Sequence, residues 1–214
     1  MQKVRKSFRS LGVVSSERLI SPALCETIAG HCERIARLRN IVFECGLRHT
    51  YSVDAKFASY KDIRSSPAFF LVKNLYEECH EFAKSVWGQS LQLSPHMLSR
   101  CYYEQHKNFG DGHGWHAEKS TLTLYLALSE FSEPIEVIPA GANTGPNPNA
   151  ELAMRFTPSA GDVVAVAGRY IWTQMPPLKF FSGEGRKFLV MNFHDANDMN
   201  RQDGFDESLF NLVI

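Results

Sequence analysis

Asp111-Gly112-His113-Gly114-Trp115-His116-Ala117-Glu118 is the densest polar cluster in the chain, and just beyond it Thr121-Leu122-Thr123-Leu124-Tyr125-Leu126-Ala127-Leu128 alternates with period two. Strict alternation predicts a strand with two distinct faces. The same texture extends outward in both directions. Met97 to Tyr103 reads as a strand, followed by a glycine-bearing turn at Asn108-Phe109-Gly110. Gly161-Asp162 opens another strand, Val163 to Ala167, and Arg186 to Phe193 forms a further one. In that last strand Arg186, Phe188, Val190 and Asn192 share one face, and Lys187, Leu189, Met191 and Phe193 share the other. Both faces are largely apolar, which places it in the middle of a packed sheet. The stretch Ala140 to Asn149 is rich in Gly, Pro and Asn and cannot sustain a ladder.

Upstream the pattern is helical. Ser21-Pro22 supplies a cap residue and a first-turn proline, and Leu24, Ile28, Cys32 and Ile35 form one apolar face, predicting a helix over 22–38. Ser66-Pro67 repeats the signal before Ala68, Val72, Leu75, Cys79, Phe82 and Val86, predicting a helix over 67–87 closed by Gly88. Helices first and strands afterwards indicate an α+β fold, with a sandwich or barrel behind covering helices. The expected organisation is an N-terminal segment over 1–18, one domain over 19–196, and a tail over 197–214 whose apolar end, Phe210 to Ile214, docks back.

Composition narrows the function classes. Lys+Arg is 23 and Asp+Glu is 23, for a net charge of +0. A general nucleic-acid binder needs a basic surplus, so the prediction is no nucleic acid, with Lys3, Arg5, Lys6 and Arg9 as a solvated tail. No apolar run reaches the roughly 20 residues of a membrane helix. Phe8 to Val14 is interrupted by Arg9, Ser10 and Gly12, so no secretory apolar region is expected. Five cysteines, with no Cys-x-x-Cys spacing, read as reduced thiols in a cytoplasmic protein.

His116 and Glu118, separated by one residue, can face one point if the chain turns there. Imidazole plus carboxylate suits a divalent metal such as Fe(II). The same two groups can instead act as a general acid/base pair. Alone, the spacing is equally that of an ordinary turn.

The order Gly114-Trp115-His116-x-Glu118, then the Gly161-Asp162 strand, then Pro177 to Arg186 resembles the Fe(II)/2-oxoglutarate-dependent dioxygenases. Leu19-Ile20-Ser21-Pro22, before the first helix, belongs to the same likeness, which spans most of residues 19–194. The resemblance implies a double-stranded β-helix, a jelly roll or cupin-like barrel, with N-terminal covering helices. It implies His116 and Glu118 as metal ligands, the carboxylate being Glu where Asp is commoner. It further implies Arg186 as the partner of the distal carboxylate of 2-oxoglutarate, and Tyr103, or its neighbour Tyr102, as a hydrogen-bond donor to that cosubstrate. Alternation with Phe188 and Val190 points Arg186 inward, away from a surface ion pair.

The chain also departs from the family. A second histidine is expected between the Gly-Asp strand and the proline segment, at Trp172 or Thr173 by counting from either side. The segment Arg169-Tyr170-Ile171-Trp172-Thr173-Gln174-Met175-Pro176 contains none. His113 is set aside because it falls in the opening turn, and His194 because it lies eight positions beyond Arg186. Three functions remain open: an oxygenase using Fe(II) and 2-oxoglutarate; a redox-silent cyclase, isomerase or dehydratase using His116 and Glu118 as acid and base; and a non-catalytic binding domain. Neutral charge and phenylalanine-rich composition favour a small organic substrate. Phe131 to Asn149 is expected as a lid or cavity wall, and the chain as a monomer or homodimer.

Overall fold

A computed structural model describes residues 2–45, 49–142, 147–179 and 185–197. In chain order the first elements are α1 (Gln2–Leu11), β1 (Val13–Ser16), α2 (Pro22–Ile35), β2 (Arg37–Cys45), β3 (His49–Ala58), α3 (Tyr60–Arg64), α4 (Phe69–Val86) and β4 (Leu91–Leu93). Then follow β5 (Cys101–His106), β6 (His113–His116), β7 (Leu122–Ala127), β8 (Ile135–Val137), β9 (Met154–Phe156), β10 (Val163–Val166), β11 (Thr173–Met175) and β12 (Arg186–Asp195).

The strands form two sheets. The larger runs β1-β10-β7-β12-β5-β3-β2, with β4 added on β12, and the smaller runs β6-β11-β8-β9. Every pairing is antiparallel. From β5 to β12 the chain alternates between the sheets, except that β8 and β9 form a hairpin within the smaller one, which is the winding of a double-stranded β-helix, so the α+β jelly-roll expectation holds. One face of the larger sheet packs on the helices through Leu122, Leu124, Leu126, Leu189, Met191 and Phe193, against Ile28, Cys32, Val72, Cys79 and Val86. Its other face meets the smaller sheet across Tyr102, Tyr125, Val164, Phe188 and Val190, against Ile135, Val137 and Met175. That inter-sheet space is the chamber.

Several local expectations change. The basic start is a helix and a strand in place of a solvated tail. Phe8 is buried edge-on to Trp87, with ring centroids 6.2 Å apart, and β1 pairs with β10 from Val13 to Ser16. α2 is capped by the Ser21 hydroxyl, which accepts from the Leu24 N–H, but it ends at Ile35, because Arg37 onward pairs with β3. α4 begins at Phe69 without a side-chain cap. Ser66 bonds the Ile63 carbonyl of α3 through both its N–H and its hydroxyl, and that hydroxyl also accepts from the Ala68 N–H just before α4. β8 lies within the stretch expected as a lid. Phe210 to Ile214 falls outside the described residues. Cys25, Cys32, Cys79 and Cys101 are free and buried, and burial pushes the first three thiols up to about 11, 12 and 12.

Candidate active site

Alternation along β5, β7 and β12 decides which side chains enter the chamber. Tyr102, Glu104 and His106 face inward from β5, Thr123 and Tyr125 from β7, and Arg186, Phe188, Val190 and Asn192 from β12. Tyr103 points the other way: it packs with the helices, and its hydroxyl donates to Glu33 of α2 at 3.5 Å. Of the two candidate tyrosines, Tyr102 therefore lines the chamber and Tyr103 does not, because neighbours on a strand occupy opposite faces.

His116 ends β6 and is 7% exposed; Glu118 follows at 8%. The Gly114 carbonyl lies 2.8 Å from His116 Nδ1. A carbonyl only accepts, so Nδ1 carries the proton and Nε2 is the working atom. Nε2 stands 3.2 Å from Glu118 Oε1, and the Tyr125 hydroxyl donates to that same oxygen. Burial opposes both charges. The Glu118 carboxylate nevertheless raises His116 above its ordinary value, and His116 with Tyr125 holds Glu118 below its own. The pair thus has the chemistry to hold a metal or to exchange a proton, the two alternatives that the spacing left open.

Arg186 begins β12 and is fully buried. Its Nη2 donates to the carbonyls of Asp111 and Pro176, each at 2.9 Å, clasping the loop after β5 to the proline segment. Nε and Nη1 have no hydrogen-bond partner. Burial draws the guanidinium down to about 10, so it stays cationic at neutral pH. An inward, charged fork with two N–H edges unspent fits a carboxylate guest. Gly112 makes the clasp possible. A Cβ there would lie 2.6 Å from the Met175 carbonyl oxygen and 2.9 Å from backbone atoms of Pro177.

The slot expected for a second histidine resolves to Thr173, whose Cα pairs in register with His116. Its hydroxyl is buried without a hydrogen-bond partner. Gln174 alternates away and donates to Glu136 on β8. An imidazole does sit near His116, on the same strand and not at the expected slot on β11. His113 belongs to β6 itself and not to a turn, with its ring centroid 5.7 Å from that of His116. Glu104 Oε1 lies 2.5 Å from His113 Nε2 and 2.7 Å from His106 Nε2. Burial disfavours the Glu104 charge, but the two imidazoles outweigh it and hold the carboxyl well below the usual range. Burial pushes His106 down to about 4, leaving it neutral. Sequence reasoning missed Glu104 and His106 by ending the strand at Tyr103. The signal was present: Tyr102, Glu104 and His106 continue the period-two pattern.

No family model matches the sequence, and no curated protein matches it. Solved structures do match in fold. SnoN, described as the non-heme alpha ketoglutarate dependent epimerase from nogalamycin biosynthesis, superposes with a TM-score of 0.67 at 13% identity, covering 91% of this chain and 83% of its own. AviO1 from Streptomyces viridochromogenes Tue57 gives 0.66 at 15% identity, with 94% and 96% covered. A Pseudomonas putida prolyl-4-hydroxylase gives 0.61 at 13% identity, with 90% and 97% covered. SnoN has also been solved with Fe3+, alpha ketoglutarate and nogalamycin RO. The double-stranded β-helix that the family resemblance implied is the fold this chain shares with these proteins.

Proposed function

We propose that this chain is an iron- and 2-oxoglutarate-dependent oxygenase that acts on a small organic molecule by hydroxylation or a related C–H oxidation. The observation that carries the reading is Arg186, a buried cation on the chamber face with Nε and Nη1 unpartnered. Burying an unspent guanidinium is costly unless a guest completes it. A dicarboxylate reaching inward from Arg186 brings its other end toward the imidazoles and carboxylates of β5 and β6. Bound there, the metal would let dioxygen act as the oxidant, with 2-oxoglutarate giving up two electrons as it loses carbon dioxide, and the protein would supply orientation and dryness. His116 would offer Nε2, fixed by its Nδ1–H on Gly114. Glu118 would offer a carboxylate held in place by the Tyr125 hydroxyl. Phe131, Ile135, Phe188 and Val190 close the chamber to water. The zero net charge supports a small-molecule partner over a polyanion.

One observation favours a second reading. Thr173 faces His116 where a third ligand would stand, which leaves His116 and Glu118 suited to proton transfer without oxidation. Anaerobic addition of Fe(II) and 2-oxoglutarate separates the two. The oxygenase gives a visible metal-to-ligand charge-transfer band that Arg186→Gln removes. No band at millimolar concentrations of both refutes the oxygenase and leaves the acid/base reading standing.

A further inference from the structure

We propose that Glu104, His106 and His113 form a seat for a divalent first-row transition cation, one to which His116 and Glu118 contribute no ligand. The inference does not depend on what the chamber oxidises, or on whether it oxidises anything.

Three donor atoms converge. His106 Nε2 and His113 Nε2 each face Glu104 Oε1, at 2.7 and 2.5 Å, and they lie 3.2 Å from one another. One face of an octahedral site with bonds of about 2.1 Å has edges of about 3.0 Å, close to this triangle. Two imidazole nitrogens and one carboxylate oxygen are the donor set that first-row ions such as Fe(II), Mn(II) and Co(II) accept. Two ring nitrogens crowded on one oxygen make a poor hydrogen-bond network. Either both donate to that one atom, with their protons close together, or one donates to the other across 3.2 Å. A cation capping the triangle satisfies all three lone pairs at once.

A second observation points the same way. Glu104 is 1% exposed, and its Oε2 has no hydrogen-bond partner. A buried carboxylate oxygen left without a partner calls for an explanation, and a cation or its bound water provides one.

The support is rigid. Glu104 and His106 sit two apart on one face of β5, and His113 opens β6. The connecting loop is pinned by the Asp111 carboxylate, which accepts from the N–H groups of Lys107 and Asn108, and by the Leu178 N–H donating to the Asp111 carbonyl. Side chains held this way keep their geometry before a ligand arrives. The seat also has a charged neighbour. His106 pairs in register with Arg186 across β5 and β12. An anion completing the guanidinium would therefore lie beside the cation.

The test uses the full chain, stripped with chelator and loaded with Co(II). Crystals are measured at the cobalt edge for anomalous scattering. A peak capping Glu104, His106 and His113 is the expected result. A peak only between His116 and Glu118, or none at all, overturns the proposal. In solution, Co(II) titration read by d–d absorption gives the affinity. Glu104→Gln and His106→Gln should each weaken binding at this seat about 100-fold or more. If Glu118→Gln abolishes cobalt binding and Glu104→Gln does not, the assignment fails. Neither readout involves 2-oxoglutarate, so failure here is distinct from failure of the oxygenase reading.

Discussion

Arg186→Met separates a cation that holds the fold together from one that waits for a guest. Wild-type Arg186 carries opposing contributions. Burial lowers its pKa from 12.5 to about 10, which amounts to about 3 kcal/mol against the charged form at 1.36 kcal/mol per unit. The two bonds from Nη2 to the Asp111 and Pro176 carbonyls return about 1.5–3 kcal/mol each. Methionine keeps most of the apolar stem and deletes both contributions. The expected net loss is about 2 kcal/mol, read by urea denaturation as a lower midpoint with an unchanged slope. The second readout is ligand protection. With Mn(II) present and 2-oxoglutarate at a hundredfold excess over its Kd, wild type should gain about 2.7 kcal/mol, and the variant nothing. Equal protection of both proteins refutes the role given to Arg186. So does a loss above about 5 kcal/mol, the signature of breaking a buried ion pair that the fold requires.

Three further outcomes are expected. Tyr76→Phe removes a buried hydroxyl that donates to the Asn192 carbonyl at 2.7 Å and accepts from the Ser94 N–H at 3.0 Å; two backbone groups lose their partner, and urea denaturation should show a loss of about 2 kcal/mol. Gly112→Ala drives a methyl group into the Met175 carbonyl and Pro177, so it should cost about 1–3 kcal/mol by overpacking, and it should weaken 2-oxoglutarate protection by displacing both carbonyls that hold Arg186. In metal-free protein, His116 has a raised folded pKa, so its contribution is complete below about 6.5 and is lost as pH rises through the folded value; Glu118 is lowered, so its contribution is present above about 4.5 and is lost as pH falls. Thermal midpoints of His116→Gln measured against pH should therefore lose the wild-type decline above 6.5 and also show a weaker acid limb, because His116 is the main group that lowers Glu118.

Legibility followed periodicity. Thr121 to Leu128 and Arg186 to Phe193 were readable because a half-buried or central strand writes its environment into every second residue, and the structure places β7 and β12 there. The hairpin of β2 and β3 was not. Arg37, Arg39, Asp54 and Lys56 interrupt any apolar alternation in the sequence, and what the structure shows of the hairpin is the backbone pairing of its two strands. β8, β9 and β11 have three residues each, too short to show a period. The site was half legible. His116 and Glu118 stood out by their spacing and Arg186 by the family resemblance together with alternation, and the structure buries all three. Tyr103 was assigned to the wrong face because one residue of register exchanges the two sides of a strand. Glu104 and His106 were lost because polar residues at a strand's end look like the start of a turn.

The two faces of the larger sheet argue that the chamber is a site and not a second core. They belong to the same strands, so topology treats them alike. Toward the helices β7 and β12 present Leu122, Leu124, Leu126, Leu189, Met191 and Phe193. Toward the smaller sheet the larger sheet presents Glu104, His106, Thr123, Tyr125, Arg186 and Asn192 among its apolar residues. Buried charges paired this way can be replaced by well-packed apolar side chains with stability unchanged or raised by about 1–4 kcal/mol. The fold therefore has no need of them. Part of the set is satisfied internally: Thr123 donates to Asn192 at 3.0 Å, and Asn192 donates to the Ser99 carbonyl at 2.7 Å. Besides His106 Nδ1, what stays open in this set is Glu104 Oε2 with Arg186 Nε and Nη1, an anion's oxygen and a cation's donors on register-linked strands. Direct pairing would have closed both, and the structure keeps them apart, so a cation at the first and an anion at the second is the arrangement that satisfies every one of these atoms.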